Sequence, residues 1–298
     1  MILVTGATGN IGREVVIELG RRGVPFRALL RDPDNRSLLP GSVQTVEGDF
    51  AKPETLERAL EGIDHAFLVT PSSEVSAELE NNFIKAASQA GVHHIVKLSV
   101  MGADLHSTCR FMRFHREIEI ELEHSGVGWT HLRPNLFMQM TLAYKSTIAS
   151  QGAIFAPAAD SRISMVDVRD IAAVAVTALT EPGHVSKSYV ITGPEALTYN
   201  DVAQYLSNAL GTPVRFVNIP HNVAKDSMLQ MRISPWRADG VIELNELYKR
   251  GEGAAVTEAV RAVGRKEPIA FAQFARDFAE AFTTGIAAST TAAAGTRG

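Results

Sequence analysis

The chain has 298 residues, 45% of them hydrophobic and 21% charged, with a formal net charge of −4 at pH 7, which is ample for one large α/β domain or for a nucleotide domain with a small companion. Acidic and basic residues are interspersed, so nothing points to nucleic acid or a membrane surface as partner. Cys109 is the single cysteine, which excludes an intramolecular disulfide framework and suits a reducing cytoplasm; without a bilayer-length apolar span or a basic leader, the expected setting is cytoplasmic, with no membrane insertion.

In chain order, the apolar run Ile2-Leu3-Val4 leads into Gly6-Ala7-Thr8-Gly9-Asn10-Ile11-Gly12 and then an amphipathic segment. A strand that breaks into a glycine-spaced turn ahead of a helix is the layout that cradles a dinucleotide pyrophosphate. Gly6 suits the tight turn, Gly9 lets backbone approach a phosphate, and Gly12 lets the helix pack close to the sheet. Further strands are expected at Phe26–Leu30, Val43–Glu47, His65–Val69, His94–Leu98 and Trp129–Leu132, alternating with helices near Gly12–Arg22, Pro53–Leu60, Glu78–Ala90 and Arg110–His124. That alternation predicts an α/β fold, a Rossmann-type doubly wound parallel sheet over residues 1–135. After Pro134 the rhythm changes: Met138–Ser150 and Tyr199–Leu210 look helical, and residues 166–193 are expected to return to the main sheet through an Ala/Val helix and a strand at Ser188–Ile191. Residues 136–165 and 194–282 then form a smaller, discontinuous α/β substrate region, and 283–298, mostly Ala, Thr, Gly and Ser, reads as a flexible tail.

Ligands of open α/β sheets bind beyond the carboxyl ends of the strands, so those ends hold the candidate residues. Arg31 follows the second strand, where a base can accommodate a 2′-phosphate, and so NADP(H) is the preferred cofactor; Asp32 beside it keeps NAD(H) open. Asp49, after Gly48, can accept from an adenine amino group, with turn capping as the alternative, and Phe50 supplies an amide and apolar contact. Thr70 and Pro71 end the fourth strand near the expected nicotinamide half. Met101, Phe137, Met138 and Met140 flank that position and suit a flat apolar acceptor, with core filling as the alternative. The histidines His93, His94, His106, His124 and His131 lack the acidic and sulfur company of a metal site, so no metal is expected.

The combination of Gly6-Ala-Thr-Gly9-Asn-Ile-Gly12, Arg31-Asp32-Pro33, Gly48-Asp49-Phe50, Leu68-Val69-Thr70-Pro71, Lys97-Leu98-Ser99, His115-Arg-Glu-Ile-Glu119 and Leu132-Arg133-Pro134-Asn135 resembles the NmrA-like atypical short-chain dehydrogenases/reductases, nearest to the bacterial NAD(P)H:quinone oxidoreductases and triphenylmethane-dye reductases. The resemblance implies that Thr8, Asn10 and Ile11 contact pyrophosphate, that Ser99 faces the nicotinamide side, and that Pro134-Asn135 hold the carboxamide and the pocket wall. It also exposes a departure. The Tyr-x-x-x-Lys pair of the wider superfamily, in which lysine lowers the tyrosine pKa for proton donation, occurs nowhere in this chain. In the implied helix register Phe111 takes the tyrosine's place and His115 the lysine's, with Glu119 one turn further on the same face. A phenyl ring donates no proton, which leaves His115 to bond the ribose or relay a proton, or to be structural, bonded to Glu119 or backbone.

The resulting expectation is an NADPH-dependent oxidoreductase that passes hydride to a quinone-like or other conjugated electrophilic acceptor without the Tyr-x-x-x-Lys pair. Its partners are then small molecules, and a homo-oligomer is compatible with the sequence. Two alternatives stand beside it: a non-catalytic NADP(H)-binding redox sensor, and an ene-reductase or isomerase acting on a natural-product intermediate.

Overall fold

The computed structural model describes residues 1–283; Thr283 closes the last helix, and the rest of the expected tail lies outside the described residues. In chain order the elements are β1 (Ile2–Val4), α1 (Asn10–Arg21), β2 (Phe26–Leu30), β3 (Gln44–Glu47), α2 (Leu56–Leu60), β4 (His65–Leu68), α3 (Ser76–Gln89), β5 (His94–Leu98), α4 (Arg110–His124), β6 (Gly128–Pro134), α5 (Lys145–Gln151), β7 (Ala153–Ala156), α6 (Val168–Thr180), β8 (Lys187–Ile191), α7 (Tyr199–Leu210), β9 (Arg215–Asn218), α8 (His221–Gln230), α9 (Pro235–Lys249), α10 (Ala259–Ala262), α11 (Phe271–Asp277) and α12 (Ala279–Thr283). They form two compact units, the first comprising Met1–Asn135, Val168–Ile191 and Thr257–Glu267, and the second Leu136–Asp167, Thr192–Val256 and the described residues from Pro268 onward.

The first unit is built on a seven-stranded sheet in the order β3-β2-β1-β4-β5-β6-β8, parallel throughout. Helices α1 and α6 pack together, as do α2 with α3 and α3 with α4, and β5 is buried at every position, as a strand covered on both faces must be. The α1 face that packs inward is Ile11, Val15, Val16 and Leu19, recurring at the helical period. The strand order reverses between β1 and β4, which makes the carboxyl ends of these two strands the switch point where such sheets bind ligands. A cavity of about 450 Å³ lined by Met1, Phe26 and Gln44 lies at the amino ends of β1 to β3, opposite that point.

The second unit holds the parallel pair β7-β9 and a core that includes Ile154, Tyr199, Val202, Leu206, Phe271 and Phe274. Helix α7 starts at a capping box, in which Thr198 and Asp201 each accept the other's backbone N–H, satisfying two otherwise orphaned donors. The expected helix over Met138–Ser150 is a 3₁₀ segment, Met138–Tyr144, followed by α5, and that over Pro53–Leu60 is likewise a 3₁₀ turn, Pro53–Thr55, ahead of α2. Residues 257–267, expected in the substrate region, belong instead to the first unit. Thr257 Oγ1 donates to Val190 O at 2.6 Å, α10 packs on α6, and Lys266 pairs with the buried Asp170 at 2.7 Å.

Candidate functional site

The glycine turn is assembled by backbone geometry that side chains would obstruct. Gly6 sits at φ +57°, and a Cβ there would fall 2.6 Å from Val69 Cγ1; Gly9 N donates to Gly6 O at 2.9 Å and closes the turn. A Cβ on Gly12 would lie 2.1 Å from Gly6 O, so α1 can follow this closely only from a glycine. Helix α1 has no side-chain cap and no acidic residue in its first turn. Among the described residues no acceptor takes the amides of Asn10, Ile11 and Gly12. Three orphaned donors at the positive end of a helix form an anion site, and the exposed Thr8, Gly9 and Asn10 frame it. The turn therefore fits a dinucleotide pyrophosphate. Ile11 is only 4% exposed, so its amide, not its side chain, can serve that contact.

Arg31 is exposed at the end of β2 and, among the described residues, its side chain has no hydrogen-bond or ion-pair partner. Asp32 is differently placed: its carboxylate accepts from Asp34 N at 3.0 Å and caps the 3₁₀ segment Pro33–Leu38. Asp49 Oδ1 likewise accepts from Ala51 N at 3.0 Å, leaving one carboxylate oxygen outside this turn contact. The Phe50 ring is buried against Phe83 at 4.8 Å, so it fills core where an apolar ligand contact was expected. Beyond β4, Pro71 is exposed and its carbonyl accepts from Ser76 Oγ at 2.8 Å, whereas Thr70 Oγ1 turns inward and donates to Glu80 Oε1 at 2.7 Å.

Two buried polar networks lie beneath the strand ends. In one, Glu119 on α4, fully buried, accepts from Ser99 Oγ at 2.6 Å, from Arg133 Nε and Nη2 at 2.9 and 2.6 Å, and from Arg116 Nη1 at 3.1 Å. Burial alone would raise its pKa, but the Arg133 guanidinium and its other partners hold the carboxyl below the ordinary value. Ser99 is thereby committed inward, where the resemblance implied that it faces the nicotinamide side. Pro134, which ends β6, accepts at its carbonyl from Met101 N at 2.9 Å, and Asn135 N donates to Ile191 O at 3.0 Å. In the second network Lys97 on β5, with 0% exposure, places Nζ 3.1 Å from Glu80 Oε2 and donates to Leu98 O at 2.8 Å and to His115 Nδ1 at 3.1 Å. Among the described residues His115 is bonded to neither Glu119 nor backbone. Its pKa is held well below the ordinary value by burial and by the adjoining Lys97 charge. Its ring rests on Phe114 at 4.1 Å, and Phe111, in the position of the missing tyrosine, meets Phe114 edge-on at 6.4 Å.

Residues 1–264 match the NmrA-like family. The chain belongs to that family. It is 41% identical over 283 residues to the NAD(P)H azoreductase of Xenophilus azovorans, covering 95% of this chain and 99% of the azoreductase. It is 37% identical over 283 residues, with the same coverage, to the (4-alkanoyl-5-oxo-2,5-dihydrofuran-3-yl)methyl phosphate reductase of Streptomyces griseus subsp. griseus. The structure of an NADPH-dependent quinone oxidoreductase from Escherichia coli complexed with NADPH superposes with a TM-score of 0.83 at 27% identity, covering 93% of this chain and 99% of that one.

Within this NmrA-like chain the residues proposed to hold the acceptor are distributed over both units. Met101 and Phe111 are half-buried in the first. Phe137 is half-buried in the second and bridges to Val166, and Met140 is exposed. Met138, 1% exposed, belongs to the second unit's core, which is the core-filling role. The histidine spacing pointed away from acidic company, but the fold supplies it to His131: Glu119, Glu123 and His131 bring ligand-type atoms within 4.8 Å of one another. Arg116 bridges the two carboxylates at 3.1 and 2.6 Å, so guanidinium charge already neutralises the pair. Glu80, Lys97, Arg116, Glu123 and Arg133 were not singled out from sequence as site residues. The available signal was Lys97 itself, a charge inside the otherwise apolar run of an interior strand, which demands a buried partner.

Proposed function

We propose that this chain is an NADPH-dependent oxidoreductase that reduces a quinone-like, azo or other conjugated electrophilic acceptor. The observation that carries this reading is the glycine turn at the sheet's switch point, opening onto three amides of α1 and the Arg31 guanidinium at the neighbouring strand end, none of which has a partner among the described residues. The activities for which the azoreductase and quinone oxidoreductase relatives are named support the same class.

When bound, the nicotinamide supplies hydride. The chain's own residues supply the rest. The amides of Asn10 to Gly12 hold the pyrophosphate, Arg31 takes the 2′-phosphate as a charge-assisted pair, and the second carboxylate oxygen of Asp49 accepts from the adenine amino group. Conjugated acceptors become stabilised anions on reduction, so the loss of a tyrosine acid costs less than it would for a simple ketone. Orientation of the two reactants then provides much of the acceleration. An enone is a second fitting acceptor, and the Streptomyces relative, named for reduction of an unsaturated furanone phosphate, favours including it.

The test is NADPH consumption against a panel of quinones, azo dyes and enones. Oxidation with at least one conjugated acceptor, and none with simple ketones, is expected. NADPH binding without oxidation across the panel would favour the redox-sensor reading, and absence of NADPH binding would refute both.

A further inference from the structure

A chain of polar contacts runs through the interior of the first unit. It begins at Thr70, whose Oγ1 donates to Glu80 Oε1 at 2.7 Å, continues through the ion pair between Glu80 Oε2 and Lys97 Nζ at 3.1 Å, and ends where Nζ donates to His115 Nδ1 at 3.1 Å. The middle of the chain is sealed, with Glu80 at 1% and Lys97 at 0% exposure, while Thr70 and His115 at the ends are half-buried. Thr70 follows Val69, the residue whose side chain abuts Gly6. One end of the chain therefore adjoins the glycine turn.

The donor inventory decides the state of the histidine. An ammonium has three hydrogens and no lone pair to accept with. The three neighbours of Nζ are Leu98 O, Glu80 Oε2 and His115 Nδ1, so Nδ1 can only be an acceptor and the ring proton resides on Nε2. Nε2 has no hydrogen-bond partner among the described residues and is not a sealed atom. A ring clamped at one nitrogen by a buried charge presents the other as a directed N–H.

We propose that Lys97 and Glu80 are positioning residues that fix His115 as an Nε2–H donor to the reduced acceptor, and that Lys97 returns the proton His115 gives up. This rests on the reductase reading above. NADPH is the reductant, and hydride transfer leaves the acceptor an oxygen or nitrogen anion. The His115 Nε2–H bond then breaks as an O–H or N–H bond forms on the acceptor, and in the same step a Lys97 Nζ–H bond breaks as Nδ1–H forms. Neither an imidazolate nor an imidazolium is required, which reconciles a proton donor with a histidine that stays neutral near pH 7. Lys97 is left as an amine beside the Glu80 carboxylate until a solvent proton, entering at His115 after product release, restores the ammonium. A purely structural Lys97–Glu80 ion pair would need no histidine in line with it.

The test reads the tautomer directly. Protein carrying ¹⁵N-labelled histidine, with the His115 signals assigned by their loss in His115→Gln, should show Nδ1 unprotonated and Nε2 protonated near neutral pH. In Lys97→Met the same ring should populate both tautomers. Kinetically, Lys97→Met should lower kcat about a hundredfold, the low end of what a positioned acid contributes, with NADPH affinity within about twofold of wild type. Adding His115→Gln should then cost little more, because coupled residues are not additive. Since Lys97→Met strands a buried carboxylate, Lys97→Met/Glu80→Gln removes both charges and secures a folded comparison. An Nδ1–H tautomer in the wild type, or wild-type kcat in the double variant, overturns the proposal. Wild-type protein that binds NADPH but oxidises it with no acceptor overturns the reductase reading and the delivery step with it, while the nitrogen signals still report whether Lys97 sets the tautomer.

Discussion

Arg31→Ala isolates the cofactor assignment because the structure gives this side chain nothing else to do. It is exposed and, among the described residues, unpartnered, so its loss should move the unfolding free energy by no more than about 0.5 kcal/mol, as for an ordinary surface site. Its neighbour cannot substitute: Asp32 caps a 3₁₀ segment and carries the wrong charge for a phosphate. A hydrogen bond to a charged group contributes about 1.5–3 kcal/mol. Truncation should therefore raise the Kd for NADPH roughly 10- to 150-fold and leave that for NADH almost unchanged. Fluorescence titration of both nucleotides against wild type and variant, at fixed salt because an exposed charge pair is screened, measures the two ratios. Equal losses for NADPH and NADH would refute the 2′-phosphate role, and unchanged NADPH binding would remove Arg31 from the site.

Three further outcomes follow from the same geometry. Gly9→Val should fold normally, since a Cβ there meets only Gly6 O at 3.3 Å, yet lose NADPH binding; Gly12→Ala, whose Cβ would sit 2.1 Å from backbone, should also lose about 1–3 kcal/mol of stability, and urea unfolding with nucleotide titration separates the two. Glu119→Gln leaves Arg133 and Arg116 facing a neutral amide inside the fold and should cost about 3 kcal/mol; a wild-type urea midpoint would show that the network carries no stability. Stability should also fall between pH 6.5 and 4. Folding holds His94 and His131 neutral, each lowered to about 4 chiefly by burial, so in this window the unfolded chain binds more protons, a loss on the order of 1–3 kcal/mol per ring. Glu119, whose pKa is depressed by folding, adds its own loss as pH drops through the carboxylate range. A flat urea midpoint from pH 7 to 4 would contradict the buried neutral rings.

What was legible in the sequence was what local pattern dictates. The glycine spacing, Arg31 at a strand end and the alternation of apolar runs are properties of adjacent residues, and the parallel sheet with its switch point follows from them. Four-residue strands such as β7 and β9 were missed because each acquires its identity only by pairing with the other across some sixty residues. The same limit applies within the site. Ser99 and Thr70 stand at strand ends, as expected, but the direction of each hydroxyl is set by a carboxylate on a following helix, Glu119 for one and Glu80 for the other. Phe50 and Met138 had apolar character suited to a ligand, and the core claimed both, which is the more frequent fate of such residues. Lys97 marks the point at which sequence could have reached further. A lysine in His-Ile-Val-Lys-Leu, on a strand with neighbours on both sides, has no route for its ammonium to water. It must therefore be answered by a carboxylate and by lone pairs within reach. Of the groups that meet that demand, Glu80 and Leu98 O could serve any structural purpose; His115, on the helix face where the missing acid pair would stand, is the one that ties the demand to chemistry.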